Sequence, residues 1–233
     1  MPKPKRLSKR RKGFLSVIAR LLLYFIMFSL AWVGLYRWVN PPYTFLMLQN
    51  TWNLSEQEKQ QVPKRKWLPY DALSENLKRA IIAAEDAHFM QHTGFDTQAI
   101  KTAYQKNKEG QPLRGGSTIS QQTAKNIFLW PQRSWLRKGL EAWFTLLIEA
   151  LWGKQRILEV YLNSIEMGRG VYGAEAACRY YYHKSASALT RSQAAHLAAI
   201  LPAPTRWSPT QPSPFISRKA QNILRYMSHS SIP

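Results

Sequence analysis

Apolar side chains run almost unbroken from Phe14 to Tyr36, interrupted by Arg20 and a few small or polar residues. About twenty such residues span a bilayer as a helix, and Arg20 lies near enough to the N-terminal end to snorkel to the interface. Asn40-Pro41-Pro42 ends this helix, because proline disfavours helix at itself and at the residue before it. A polar connector follows to Lys66. Beyond it the pattern takes on the helical period: Ser74 as a cap, Glu75 in the first turn, and Leu77, Ile81, Ala84 and His88 on one face. Lys106, Lys108, Gly110, Pro112 and the paired glycines make Gln105 to Gly116 a flexible basic loop. Further helices are predicted over Ser117–Phe128, Leu136–Trp152, Gln155–Leu162, Ala174–Tyr182, Ser192–Leu201 and Ile216–Met227. Gly168 to Gly173 reads as a glycine-punctuated turn, strand signals are few, and no internal repeat is evident.

The chain has 233 residues and a net charge of +20, from 33 basic and 13 acidic side chains. Residues 1–37 hold nine basic and no acidic side chains, which leaves 24 basic against 13 acidic for the rest. Lys3, Lys5, Arg6, Lys9, Arg10, Arg11 and Lys12 precede the apolar run and only Arg37 directly follows it, so the positive-inside rule puts the N-terminus in the cytoplasm and everything after Trp38 outside. A cleaved signal peptide competes through the small residues Ser29 and Ala31. An uncleaved anchor is favoured, because the apolar run continues to Val39 and is flanked by Trp32, Trp38 and Tyr43. The expected organisation is a basic tail (1–13), an anchor helix (14–39), a connector (40–66) and one domain (67–233). The lone Cys178 permits no intrachain disulfide and no cysteine metal cluster; it reads as a small buried residue.

Carboxylates are scarce, so their placement matters. Glu85 stands one helical turn from Ile81 and Ile82, where lost hydration would make it a proton acceptor or donor near neutrality. Its alternative is an exposed helix-end carboxylate. Glu141 follows Arg137 by four residues and Lys138 by three, and a surface salt bridge is the bland reading. Asp86, His88 and His92 match no metal-ligand spacing, and His88 is expected on the helix face. Ser117, Thr118, Gln121, Gln122, Lys125 and Asn126 crowd one helical stretch behind paired glycines, a backbone that can approach a ligand closely.

The segments "EDAHFMQHTGFD", "GGSTISQQTAKN", "RKGLE" and "KQRILEVYLNSIEMGRGVYGAEAACRYYY" resemble, in order, the five signature blocks of the peptidoglycan glycosyltransferases, over about Trp67 to Pro209. The resemblance implies a mainly α, lysozyme-like two-lobed domain, with a larger lobe and a smaller membrane-touching jaw behind the transmembrane helix. It implies polymerisation of lipid II onto a growing glycan chain with release of undecaprenyl pyrophosphate. Carried over by position, Glu85 is the general base, and Glu141 assists at the donor. Lys125, Arg137 and Lys138 bind pyrophosphate, and Ser117, Thr118, Gln121, Gln122 and Asn126 shape the cleft. Lys154, Glu159, Tyr161 and Asn163 match the fourth block, and Gly168, Gly170 and Gly173 the fifth. Ser120 stands where the family commonly has threonine and keeps a hydroxyl.

No protein metal site or required cofactor is expected, although Mg²⁺ or Mn²⁺ could accompany the donor pyrophosphate. Expected partners are lipid II, the glycan chain, membrane lipid and cell-wall synthesis or division proteins, with no nucleic acid. Neither Ser-x-x-Lys nor Lys-Thr-Gly occurs, so the chain reads as the monofunctional enzyme of the cytoplasmic (inner) membrane, its catalytic domain periplasmic. The alternative is a lysozyme-like lytic enzyme that uses Glu85 as an acid to cleave glycan. The aromatics Phe128, Trp130, Trp135, Trp143 and Phe144 divide between core and lipid contact.

Overall fold

The computed structural model describes residues 9–108, 116–132 and 134–233 and falls into two compact units, one up to Val39 and one from Asn40. The first unit holds helix α1 (Lys9–Trp38). Within it Leu15–Trp38 is long and apolar enough to cross a membrane. Phe28, Trp32 and Tyr36 form a ladder of ring contacts one turn apart, at 5.5 and 6.3 Å.

The second unit is mainly helical. Two short helices occupy the segment read as a connector: α2 (Phe45–Trp52), whose cap Thr44 accepts from Met47 N, and α3 (Glu56–Gln61), opened by a Ser55–Glu58 capping box. Both escaped the sequence reading because they are short and only Met47 is buried in them. Next comes α4 (Glu75–Glu85), which buries Leu77, Ala80, Ile81 and Ile82. Ser74 sits at its N-cap position but makes no side-chain cap bond. Helix α4 stops at Glu85, so His88 lies in the following turn, half exposed, and bonds Asp96 at 2.8 Å rather than packing on a helix face.

Helix α5 (Thr97–Lys108) takes in Gln105 to Lys108, which corrects the start of the expected basic loop; residues 109–115 lie outside the described residues. Then follow α6 (Ile119–Phe128), α7 (Trp135–Leu151) and α8 (Lys154–Ser164). Glu166–Gly168 (β1) and Val171–Tyr172 (β2) pair antiparallel as a hairpin, so the glycine-rich segment is a strand turn. Gly173 follows at φ +82, and a side chain there would meet the Asn163 carbonyl oxygen at 2.8 Å. The chain ends with α9 (Ala174–Tyr182), α10 (Arg191–Ile200) and α11 (Pro214–Tyr226).

Two helix groups build the core. In one, α10 packs against both α4 and α11; in the other, α6 packs against α7 and α8. Cys178 is buried. Polar bonds, partly buried, tie these helices to one another and to the segment before α4. The Ser120 hydroxyl donates to Glu149 at 2.5 Å, Lys154 pairs with the same carboxylate at 2.7 Å, and the Lys154 ammonium lies 4.5 Å from the Phe89 ring centre. Asn163 exchanges two 2.9 Å bonds with the Leu68 backbone, and Glu159 accepts from Trp67 Nε1 at 2.8 Å.

Candidate active site

Helix α6 starts where it does because Thr118 and Gln121 form a capping box: Thr118 Oγ1 accepts from Gln121 N at 3.2 Å, and Gln121 Oε1 accepts from Thr118 N at 3.0 Å. A second acceptor reinforces the cap. Asp86 Oδ2 takes the Ile119 N–H at 2.9 Å, and the same buried carboxylate contacts His92 Nε2 at 2.9 and 3.0 Å. A carboxylate at a helix N-terminus is favoured by the helix dipole. Asp86 therefore clamps the turn after Glu85 onto the start of α6, a role that sequence spacing alone did not reveal.

This clamp brings Glu85, at the end of α4, against the first turn of α6. Gln122 Nε2 donates to Glu85 Oε2 at 2.9 Å, and Gln122 Oε1 accepts from the Tyr161 hydroxyl at 3.2 Å. Tyr161 is fully buried, and burial pushes its phenol well up, so it remains a neutral donor. The three residues come from blocks one, two and four.

Glu85, Ser117, Gln122 and Lys125 line a cleft of about 1050 Å³. Its other wall is α11, through Phe215, Arg218, Lys219 and Asn222, and the end of α10. The sequence reading missed these α11 residues. The available signal was Arg218-Lys219 beside Asn222 on an amphipathic helix, but nothing in the sequence shows which wall faces Glu85. Thr118 and Gln121 are committed to the cap, with their side chains turned inward.

A smaller cavity of about 210 Å³ continues from Lys125, lined by Leu46, Asn126, Leu129, Trp130 and Arg137. It is cationic at one end and apolar at the other. Arg137 Nε is buried with no hydrogen-bond partner among the described residues. Glu141 is buried and paired with Lys138, so it is not the surface salt bridge of the bland reading. Lys125 is half-buried, and desolvation lowers its ammonium pKa from the ordinary 10.5; Glu141 and Glu85 pull it back up, while Arg137 and Lys138 push it further down. One lysine thus feels both candidate catalytic carboxylates and both neighbouring cations.

The sequence profile described as Transglycosylase matches residues 52–228. This chain belongs to the transglycosylase family. It is 50% identical over 219 residues to the "Biosynthetic peptidoglycan transglycosylase" of Pseudomonas putida strain W619, covering 93% of this chain and 92% of that one. It is 50% identical over 206 residues to the protein of that name from Pseudomonas aeruginosa, covering 88% and 89%. It is 49% identical over 213 residues to that of Caulobacter vibrioides, covering 91% and 90%. The activity is peptidoglycan glycosyl transfer in cell-wall synthesis.

In this transglycosylase the aromatic stretch divides. Phe128 and Phe144 stack at 4.6 Å within the core, while Trp135 is 94% exposed beside exposed Leu136. Among the described residues no group of three His, Cys, Asp or Glu side chains could hold a metal ion. A protein-held metal does not fit the donor end, where Glu141 is the carboxylate among Lys125, Arg137 and Lys138.

Proposed function

We propose that this enzyme polymerises lipid II at the outer face of the cytoplasmic membrane, anchored by α1 with its N-terminus in the cytoplasm. The orientation rests on the seven basic residues before the apolar run. The observation that carries the mechanism is a single cleft holding both Glu85 and Lys125, with Glu85 held by the Gln122 amide.

In this reading Glu85 accepts the proton of the acceptor sugar's 4-hydroxyl as that oxygen bonds to the donor's anomeric carbon. The anomeric carbon–phosphate oxygen bond breaks, and undecaprenyl pyrophosphate leaves with the electron pair. Lys125, Arg137 and Lys138 meet the charge that develops on the pyrophosphate, and fixed cations in a partly desolvated cleft do this without reorganising. Glu141 holds Lys138 in place at the donor end. Leu46, Leu129 and Trp130 offer an apolar continuation for the first units of the polyprenyl chain. Arg218 and Lys219, across the cleft, face the acceptor. Ser117 and Asn126 shape its floor, and the Thr118–Gln121 cap holds that floor rigid. The three cations carry the leaving-group chemistry, so the reading requires no metal; Mg²⁺ or Mn²⁺ would enter only on the pyrophosphate oxygens.

Incubating the purified protein with lipid II and, separately, with purified glycan distinguishes this from the lytic alternative. Polymer from the first is expected, and Glu85→Gln should abolish it with the fold intact. Fragments released from the second, or a fully active Glu85→Gln protein, would overturn the assignment. Polymerisation in excess chelator is expected to continue.

A further inference from the structure

Away from Glu85, the hairpin turn, the end of α9 and the segment between α10 and α11 enclose a second groove of about 540 Å³. Tyr180, Tyr181 and Trp207 give it aromatic walls, Arg169, His183 and Arg206 line it with basic groups, and among the described residues no Asp or Glu lines it. The walls are held in place. Tyr180 and Tyr181 meet edge to face at 4.9 Å, and the Tyr181 hydroxyl lies so close to Gly168 that a β-carbon there would come within 2.5 Å of it. Arg169 is anchored by Glu58 at 2.7 Å, whereas Arg206 and His183 are exposed.

The groove adjoins the catalytic cleft. The ring centres of Trp207 in the groove and Phe215 in the cleft are 6.2 Å apart, so one aromatic contact links the wall of the groove to the wall of the cleft. Aromatic faces accept the C–H faces of sugar rings while their polar edges stay wet, and arginine pairs with carboxylate. A polymerase makes a product longer than its cleft, and that product carries peptide carboxylates along its length.

Resting on the polymerase reading above, we propose that this groove is a glycan-strand subsite, which holds a segment of peptide-bearing strand beyond the catalytic cleft and keeps the enzyme on it. Tyr180 and Trp207 contact the sugars, and Arg206 contacts a peptide carboxylate.

The test uses full-length protein. In a Glu85→Gln background, binding of fluorescent, un-cross-linked glycan strands is measured with and without their stem peptides. The double change Arg206→Glu and Tyr180→Ser should weaken binding of the peptide-bearing strands about tenfold, the scale of one lost charge-assisted contact. Peptide-free strands should bind more weakly to the parent and lose less on substitution. In the active protein the same changes should shorten the product strands while leaving the initial rate on lipid II unchanged. Unaltered affinity and strand length would overturn the proposal, as would an initial rate that falls in step with length. If the double variant fails to melt cooperatively, Arg206→Glu alone decides, since it replaces one exposed side chain with another. A parent protein that makes no polymer at all would overturn the polymerase reading, whereas the binding arm with pre-made strands would still report on the groove.

Discussion

Replacing Gln122 with Ala removes three bonds: its 2.9 Å donation to Glu85, a long 3.5 Å donation to the Ser117 carbonyl, and the 3.2 Å bond it accepts from the Tyr161 hydroxyl. Tyr161 is only 1% exposed, so its hydroxyl is left without that partner in a buried site. An orphaned buried donor costs about 1–3 kcal/mol. For a unit of this size each kcal/mol lowers the melting temperature by about 2–4 °C, so a fall of about 2–12 °C is expected. The catalytic effect should be separate. Glu85 survives but loses its orienting amide, so kcat should fall about tenfold, less than the 10²–10⁴ that a positioned base supplies, while KM moves little. Tyr161→Phe keeps the Glu85 contact, and the double-mutant cycle should show a coupling of about 0.5–3 kcal/mol. Lipid II polymerisation under initial-rate conditions and a thermal melt on the same samples measure both. A variant with parental kcat would refute the claim that Gln122 positions the carboxylate, and two substitutions that add without coupling would refute the claim that Tyr161 holds Gln122.

The remaining predictions concern the cleft's charge, its edge and its clamp. Because desolvation lowers the Lys125 pKa below 10.5, its cation is lost at a lower pH than an exposed lysine's. The alkaline limb of kcat/KM should therefore fall below 10.5, and Lys125→Arg, which keeps its charge, should move that limb upward; a limb indifferent to the substitution would detach it from Lys125. Trp130→Ser with Trp135→Ser should weaken liposome binding by the fragment from Asn40 onward about tenfold for each side chain that had been buried in lipid, and equal sedimentation with vesicles would count against lipid contact. Asp86→Ala removes a carboxylate that caps α6 and holds His92, so a stability loss of about 2–4 kcal/mol should appear in denaturant titration; a neutral outcome would mean the clamp between α4 and α6 is not what holds Glu85.

Much of this architecture could be read locally. The anchor helix follows from apolar length, and α6, α8, α9, α10 and α11 follow from the residue pattern along each segment, since helix bonds close within a few residues. Glu85 stood out because carboxylates are rare and it lies one turn from Ile81. Helices α2 and α5 were not legible, because the first is short and the second carries little apolar pattern in a basic stretch. His88 was misplaced because its spacing from Ala84 continues the helical period, while Asp86 ends the helix by turning its carboxylate toward Ile119 N.

By itself, the sequence determined which residues are available for chemistry, the single apolar span, the helical class and the family's ordered blocks. Each of these is carried by residue identity and short-range spacing. Tertiary structure alone decided that Glu85 meets Gln122 and through it Tyr161, that Glu141 is buried, and that α11 supplies the far wall of the cleft through Arg218 and Lys219. These facts depend on contacts between side chains far apart along the chain. Such contacts form only when the two helix groups close their apolar faces and the few buried polar groups must find one another.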